Sequence, residues 1–254
     1  MGYVHLSSYL EVKNIKKSYK VKDDHLKVIN GLELKINRNE FVTIIGASGC
    51  GKSTLLKLIA GFIEPEEGQI DINNNKIKGA SFERIMVFQE FDQLFPWRTI
   101  LENVCFALKA KDLFGSKQKR KEVAKKYLKE VHLNNYLDYY PHQLSGGMKQ
   151  RAALARSLVT KPSILLMDEP FGSLDSQTRQ ELQNLLLEIW YKEKNTVVFV
   201  THDIKEAVIL SDKIIVMDDQ KGQIKEIIPN NLTRPRRPYE NDFIELFQKL
   251  NQLI

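Results

Sequence analysis

The sequence predicts an α/β fold with a mostly parallel sheet, an antiparallel β subdomain and an inserted helical subdomain. Three observations carry this. "FVTIIG", "RIMVFQ", "SILLMDE", "TVVFVTH" and "KIIVMDD" are short, continuous apolar runs, the pattern of strands buried on both faces in a parallel sheet under helices. Stretches of helical periodicity lie between them. Ahead of them "LKVINGLELKI" alternates, the period of a half-exposed antiparallel strand.

In chain order, the alternating strand puts Leu32, Leu34 and Ile36 on one face and Glu33 and Lys35 on the other. After "FVTIIG", the helix "STLLKLIAG" aligns Leu55, Leu56 and Ile59 and stops at Gly61. "RIMVFQ" ends in Gln89. Residues 99–140 lack buried-strand runs. They hold "ILENVCFALKAK" and a basic amphipathic stretch with Val123, Tyr127 and Val131 four apart, so they read as a helical insertion between two strands. Ser145, Gly146 and Gly147 then open the helix of "QLSGGMKQRAALARSL". Each glycine in a helix costs roughly 1 kcal/mol against alanine, so bare N–H groups at this start point to an approaching anion. "SQTRQELQNLLLEIW" repeats Leu182, Leu185, Leu186 and Ile189 at helical spacing. Past Pro229, "NNLTRPRRPYE" reads as an exposed segment and "FIELFQKLNQLI" as a terminal helix. Removing the tail after Asn230 is expected to spare nucleotide binding.

Composition fits a soluble globular chain: 254 residues, 43% hydrophobic and 28% charged. No apolar run approaches the ~18–20 residues of a membrane span, and the start "MGYVHLSSYLEV" has no signal-peptide pattern. Cys50 lies in a glycine-rich loop and Cys105 in an apolar segment. A disulfide between them is not expected, which suits the cytosol. No Cys/His cluster has metal-ligand spacing. Net charge is +6, concentrated in "SKQKRKEVAKKYLKE" and "RPRRP". These read as a solvated helix face and a tail, the alternative being attraction to anionic lipid head groups. No aromatic residues interleave with the lysines as a base-stacking surface requires, which argues against nucleic acid as a partner.

"GASGCGKST" fits the phosphate-loop pattern G-x-x-x-x-G-K-[ST]. An apolar strand precedes it and an amphipathic helix follows, which is the required setting. Backbone N–H groups of Gly46, Ala47, Ser48, Gly49, Cys50, Gly51, Lys52, Ser53 and Thr54 surround the phosphates. Lys52 reaches the β and γ phosphates, and the Ser53 hydroxyl can ligate Mg²⁺. In "SILLMDEP", Asp168 and Glu169 fall at the carboxyl end of a buried strand, where open α/β sheets bind ligands. Asp168 can hold Mg²⁺, and Glu169 can polarise a water attacking the γ-phosphate. His202 ends "TVVFVTH" and could hydrogen-bond that phosphate. Gln89 could contact both Mg²⁺ and water.

Together these residues resemble the ATP-binding subunits of ABC transporters, over essentially the whole chain. "GASGCGKST" matches Walker A and Gln89 the Q-loop. "LSGGMKQ" matches the ABC signature, with Met148 where the family most often has glutamine. "ILLMDEP" matches Walker B with Glu169 as the catalytic residue, Ser173 to Asp175 the D-loop, and His202 the switch histidine. Tyr19 stands where the family often stacks an aromatic on adenine. The resemblance implies a P-loop NTPase (ABC ATPase) core and one ABC ATP-binding domain over 1–254, with its helical subdomain at about 90–150 and a tail at about 230–254. It raises Gln89 and His202 to catalytic candidates and adds Ser145, Gly146, Gly147 and Asp175 to the nucleotide contacts. ATP and Mg²⁺ are the implied cofactors.

"QEFDQLFPWRTILENV", with Phe95, Pro96 and Trp97 before Arg98 and Thr99, is similar to the importers of nitrate, sulfonate and taurine type. So is the tail "LTRPRRPYENDFIELFQKL". In this family two such subunits face head to tail. Each ATP lies between Walker A of one and the signature of the other, whose helix N-terminus carries about half a positive charge. The implied partners are a second copy of the chain, separate transmembrane permease subunits and, indirectly, an extracytoplasmic solute-binding protein. The implied place is the cytoplasmic face of the inner membrane, held peripherally. A soluble non-transport ABC ATPase would need a long coiled coil or tandem cassettes. A P-loop kinase would have no use for "LSGGMKQ".

Overall fold

The computed structural model describes residues 8–21, 24–89, 93–218 and 222–254. They form two units: Phe82–Lys194, and the chain on either side of it, up to Ser81 and from Asn195.

The flanking unit opens with β1 (Leu10–Val21) and β2 (Asp24–Ile36), a long antiparallel hairpin. Its register pairs Leu10 with Ile36, Val12 with Leu34 and Ile15 with Leu32, and all six are buried. Glu33 and Lys35 face out, so the alternation seen in the sequence is the alternation of the sheet. On the other side of β1 run β4 (Glu67–Ile72) and β5 (Asn75–Lys76), giving the order β2-β1-β4-β5. The wholly buried β3 (Phe41–Ile45) runs parallel to β8 (Thr196–Val200) and β9 (Lys213–Met217). β10 (Ile224–Pro229) adds an antiparallel edge on β9 that the sequence reading does not contain. Helix α1 (Lys52–Ala60) starts at Gly51 and ends at Gly61.

The last two helices of this unit change the expected picture of the tail. α6 (Ile204–Leu210) and α7 (Asn241–Leu253) pack on one apolar cluster. It joins Ala207 and Val208 to Phe243 and Leu250, together with Ile45, Ile214, Val216 and Ile228 of the strands. The segment expected to be exposed is also tied down: Asn230 and Arg236 are buried. Arg236 fills the C-terminal end of α6, where unpaired carbonyls and the negative end of the helix dipole accept a guanidinium. Polar composition suggested solvent, but the acceptors are backbone atoms that composition does not reveal.

The second unit holds two parallel strands, β6 (Arg84–Val87) and β7 (Ile164–Asp168). Between them lie α2 (Ile100–Ala110), α3 (Lys117–Glu130), a short 3₁₀ turn at Pro141–Gln143 and α4 (Gly146–Leu158). This is the helical insertion that the sequence implies. α5 (Ser176–Glu193) follows β7. Thr99 and Glu102 form a capping box on α2, and Ser116 caps α3. α3 buries Ala124, Tyr127 and Leu128 and keeps its lysines outside, with Val131 buried just beyond its end.

Candidate functional site

In the flanking unit, β3 and β8 run parallel with Ile44 opposite Val200. Two residues on, each strand delivers a candidate residue at the same carboxyl end: Gly46 from β3 and His202 from β8. The phosphate loop then turns through Gly51, whose φ is +104°. A Cβ there would stand 2.8 Å from both the Ile29 Cδ1 and the Val28 carbonyl of β2, so only glycine fits.

No side chain caps α1, whereas α2 to α6 each begin with one: Thr99, Ser116, Ser145, Asp175 and Asp203. A helix start with no side-chain cap is of the kind that suits an anion. Lys52, only 6% exposed, donates from its ammonium to the carbonyls of Gly46 and Ala47 at 2.8 Å each. Ser48 and Gly49 are exposed, Ala47, Ser53 and Thr54 half-buried. Burial pushes the Cys50 thiol up, and both cysteines are free.

Tyr19 lies on β1, 39% exposed, with the Lys17 ammonium 6.0 Å from its ring centroid. His202 is exposed between two anchored neighbours. The Thr201 hydroxyl donates to the buried Glu206 carboxylate at 2.6 Å and accepts from the Asp203 N–H at 3.0 Å. The Asp203 carboxylate caps α6 by accepting from the N–H groups of Lys205 and Glu206, at 2.8 and 3.3 Å.

The second unit repeats the arrangement. Val87 of β6 is opposite Met167 of β7, and two residues on stand Gln89 and Glu169. A Cβ on Gly172 would lie 3.7 Å from the Gln89 amide nitrogen and 3.9 Å from a Glu169 carboxylate oxygen. The two side chains therefore converge on one spot. Glu169 has φ +43°, a left-handed conformation costing about 1 kcal/mol for a non-glycine residue. The turn holds it there, with the Gly172 N–H donating to the Glu169 carbonyl at 3.2 Å. Asp168 ends β7, half-buried. The Asp175 carboxylate caps α5, accepting from the Thr178 N–H at 2.9 Å, and that bond holds its carboxyl below the usual range.

The signature helix α4 is capped by Ser145, whose oxygen accepts from the Met148 N–H at 3.3 Å. The hydroxyl hydrogen stays free to donate outward. Gly147 is buried, and a Cβ there would sit 2.4 Å from Thr178 Cγ2 on α5. Glycine at this position is therefore a packing necessity. Beside it a cavity of about 640 Å³ is lined by Ser145, Gly147, Met148, His132, Arg151 and Glu181, among others. Arg151 and Glu181 are paired across it at 3.0 Å.

The segment after Gln89 depends on two residues that the sequence reading passed over; Glu90 to Asp92 lie outside the described residues. Buried Asn103 donates to the carbonyls of Phe95, Arg98 and Thr99 at 3.0–3.2 Å and accepts from the Phe95 N–H at 2.8 Å. Arg156 donates to the Gln93 carbonyl at 2.5 Å and lies 5.7 Å from the Phe95 ring centroid. Asn103 was visible as a polar residue on the apolar face of "ILENVCFALKAK". Arg156 carried no such signal. The turn they hold presents Trp97, 70% exposed, beside Phe95, which in turn packs edge-on against Phe106.

A phosphate loop and a carboxylate pair at the carboxyl ends of parallel strands define the class of P-loop nucleotide-binding proteins. Comparison with known proteins sharpens this. A family model described as ABC transporter matches residues 29–172. An uncharacterized ABC transporter ATP-binding protein of Methanocaldococcus jannaschii is 46% identical over 245 residues, 96% of this chain and 91% of that protein. The aliphatic sulfonates import ATP-binding protein SsuB of Bacillus thuringiensis subsp. konkukian is 41% identical over 243 residues, covering 96% of this chain and 94% of the relative. The ATP-binding cassette MJ0796, solved as a dimer in a post-hydrolysis state bound to ADP and Pi, superposes with a TM-score of 0.77 at 34% identity, covering 88% of this chain and 100% of that one. The chain belongs to the ABC transporter family, as one of its ATP-binding cassettes, and is an ATPase.

Proposed function

We propose that this chain is the ATP-hydrolysing subunit of an importer for an aliphatic sulfonate or a related small solute such as taurine or nitrate. The observation that carries this is the 41% identity, over nearly the full length of both chains, to a sulfonate-import ATP-binding protein. No helix among the described residues is long and apolar enough to cross a membrane. In this reading the solute passes through permease subunits, fed by an extracytoplasmic solute-binding protein, and this chain sits peripherally on the cytoplasmic face, as the resemblance to import ATP-binding proteins suggests. The surface we assign to the permease is the turn carrying Phe95 and Trp97. An exposed tryptophan packed beside Phe95 suits an apolar helix from a partner, and Asn103 and Arg156 keep the turn shaped.

ATP fits the residues present. The uncapped start of α1 and the Lys52 ammonium take the phosphates, and the half-exposed Tyr19 ring takes the adenine. Mg²⁺ prefers oxygen ligands, and the Ser53 hydroxyl, the Asp168 carboxylate and the Gln89 amide oxygen would each supply one. When bound, the ion offsets charge developing on the phosphates. Glu169, beside Gln89 at the end of β7, takes the proton of the attacking water. His202 donates to the γ-phosphate, and Asp175 fixes the start of α5. Ser145, Gly146 and Gly147 of a second copy close on the same phosphate, through the Ser145 hydroxyl hydrogen and the N–H groups that open α4. Loss of the γ-phosphate removes the contact that favours the closed dimer, which then opens.

The test is Glu169→Gln. It should bind ATP as tightly as wild type, lose nearly all turnover, and elute as an ATP-dependent dimer. Wild-type turnover in that variant would remove Glu169 as the base. For the solute, the chain reconstituted in vesicles with its permease and solute-binding protein should drive ATP-dependent uptake of an alkanesulfonate, taurine or nitrate. If none of the three enters, the assignment to this importer group fails.

A further inference from the structure

The tail makes a connection that the proposed catalytic cycle leaves unused. Arg236 is 8% exposed. It donates to five backbone carbonyls: Val208, Ile209 and Ser211 at the C-terminal end of α6, and Asn230 and Leu232 of the tail, at 2.6–3.3 Å. Asn230 adds a bond to the Val208 carbonyl at 2.9 Å. Arg234 donates to the Leu210 carbonyl and, at 2.6 Å, to the Asp212 carboxylate. Asp212 in turn accepts from the Phe41 N–H at the start of β3, at 3.0 Å. The C-terminal end of α6 is thus closed by arginines from the tail. Its N-terminal end is closed by the Thr201–Glu206 and Asp203 bonds on either side of His202. Between the two ends lie only about 10 Å of helix, buried against α7 through Ala207 and Val208. A helix this short, fixed at both ends, moves as one body.

We propose that Arg236 is a positioning residue for ATP hydrolysis: it locks the far end of α6 to the tail and thereby sets where α6 holds His202. A lysine would keep the positive charge at the helix end but could not reach carbonyls on both the helix and the tail. The proposal rests on the reading of His202 as the γ-phosphate contact.

Arg236→Lys in the full chain is the test, assayed well below its melting temperature with the folded fraction measured by circular dichroism. The expected result is a kcat about fivefold lower, the scale of coupling carried through packed elements, with KM for ATP within about twofold. Amide exchange should accelerate about tenfold at Asp203, Lys205 and Glu206 and stay unchanged at Val198–Val200. A folded variant with wild-type kcat overturns the proposal. So does faster exchange spread evenly over β8 and α6, which is the mark of a general loss of stability. His202→Ala is assayed beside it. If that variant turns over at the wild-type rate, the His202 reading fails and takes this proposal with it. If His202→Ala is slow while Arg236→Lys is normal, only this proposal fails.

Discussion

At the scale of single residues, Gly147 is under two demands that can be separated. Its missing Cβ lets α4 approach Thr178 of α5, and its bare backbone is assigned to the partner's γ-phosphate. Gly147→Ala drives a methyl to 2.4 Å from Thr178 Cγ2. Overpacking of this kind costs about 1–3 kcal/mol, so the melting temperature should drop. Thr178→Ser removes the methyl that is struck and leaves the Asp175 cap, which uses the backbone N–H. The double variant should regain the melting temperature while ATP turnover stays low. Recovered turnover would mean that the glycine serves packing alone. Glu169 illustrates the same economy of position: its left-handed φ follows directly from the turn that brings its carboxylate beside Gln89.

At the scale of elements, β1 and β4 are joined by charge as well as by their ladder. Lys13 lies 2.7 Å from Asp71 and 2.8 Å from Glu11. The Lys13 ammonium holds the Asp71 carboxyl below its usual range, so this carboxylate stabilises the fold above its unfolded value of about 3.9 and loses that effect as pH falls through the lower folded value. The Lys13 value is raised, so its share is complete below about 10.4 and fades on the alkaline side. Half-exposure of Lys13 weakens the pair through solvent screening. Asp71→Asn should lower the melting temperature at pH 6 by a few degrees and flatten its fall towards pH 3. Parallel melting curves for the two proteins between those limits would refute the linkage.

The legibility of the elements follows from their chemistry. Strands buried on both faces are continuous apolar words, so β3, β6, β7, β8 and β9 could be read. β1 is interrupted by lysines and by register shifts around Asn14, which breaks the period that would announce it. β10 is a short, half-exposed edge. The phosphate loop, the carboxylate pair and the signature were legible because their chemistry demands fixed residue types at fixed spacing. Arg236 was not, because its partners are carbonyls that any sequence supplies.

At the scale of the whole molecule, the tail has to be counted as part of the flanking unit's core. Phe243 and Leu250 are 3% and 0% exposed and share a cluster with Ile45, the residue before Gly46. Ending the chain at Asn230 removes both side chains, each worth about 1.5–3 kcal/mol of burial, along with Arg234 and Arg236. Domain stabilities are of order 5–15 kcal/mol, so the loss approaches the whole margin. The shortened chain should melt at least about 10 °C lower or fail to accumulate folded, and it should bind ATP only in proportion to its folded fraction. That reverses the expectation drawn from the polar composition of residues 230–240. Phe243→Ala and Leu250→Ala keep the claim testable if the truncation cannot be purified, since each should cost about 2–5 kcal/mol by denaturant titration. A truncated chain with native melting temperature and native ATP affinity would show that α6 and the strand ending at Ile45 hold the phosphate loop without the tail. The clamp on α6 would then lack the rigid base on which its effect on His202 depends.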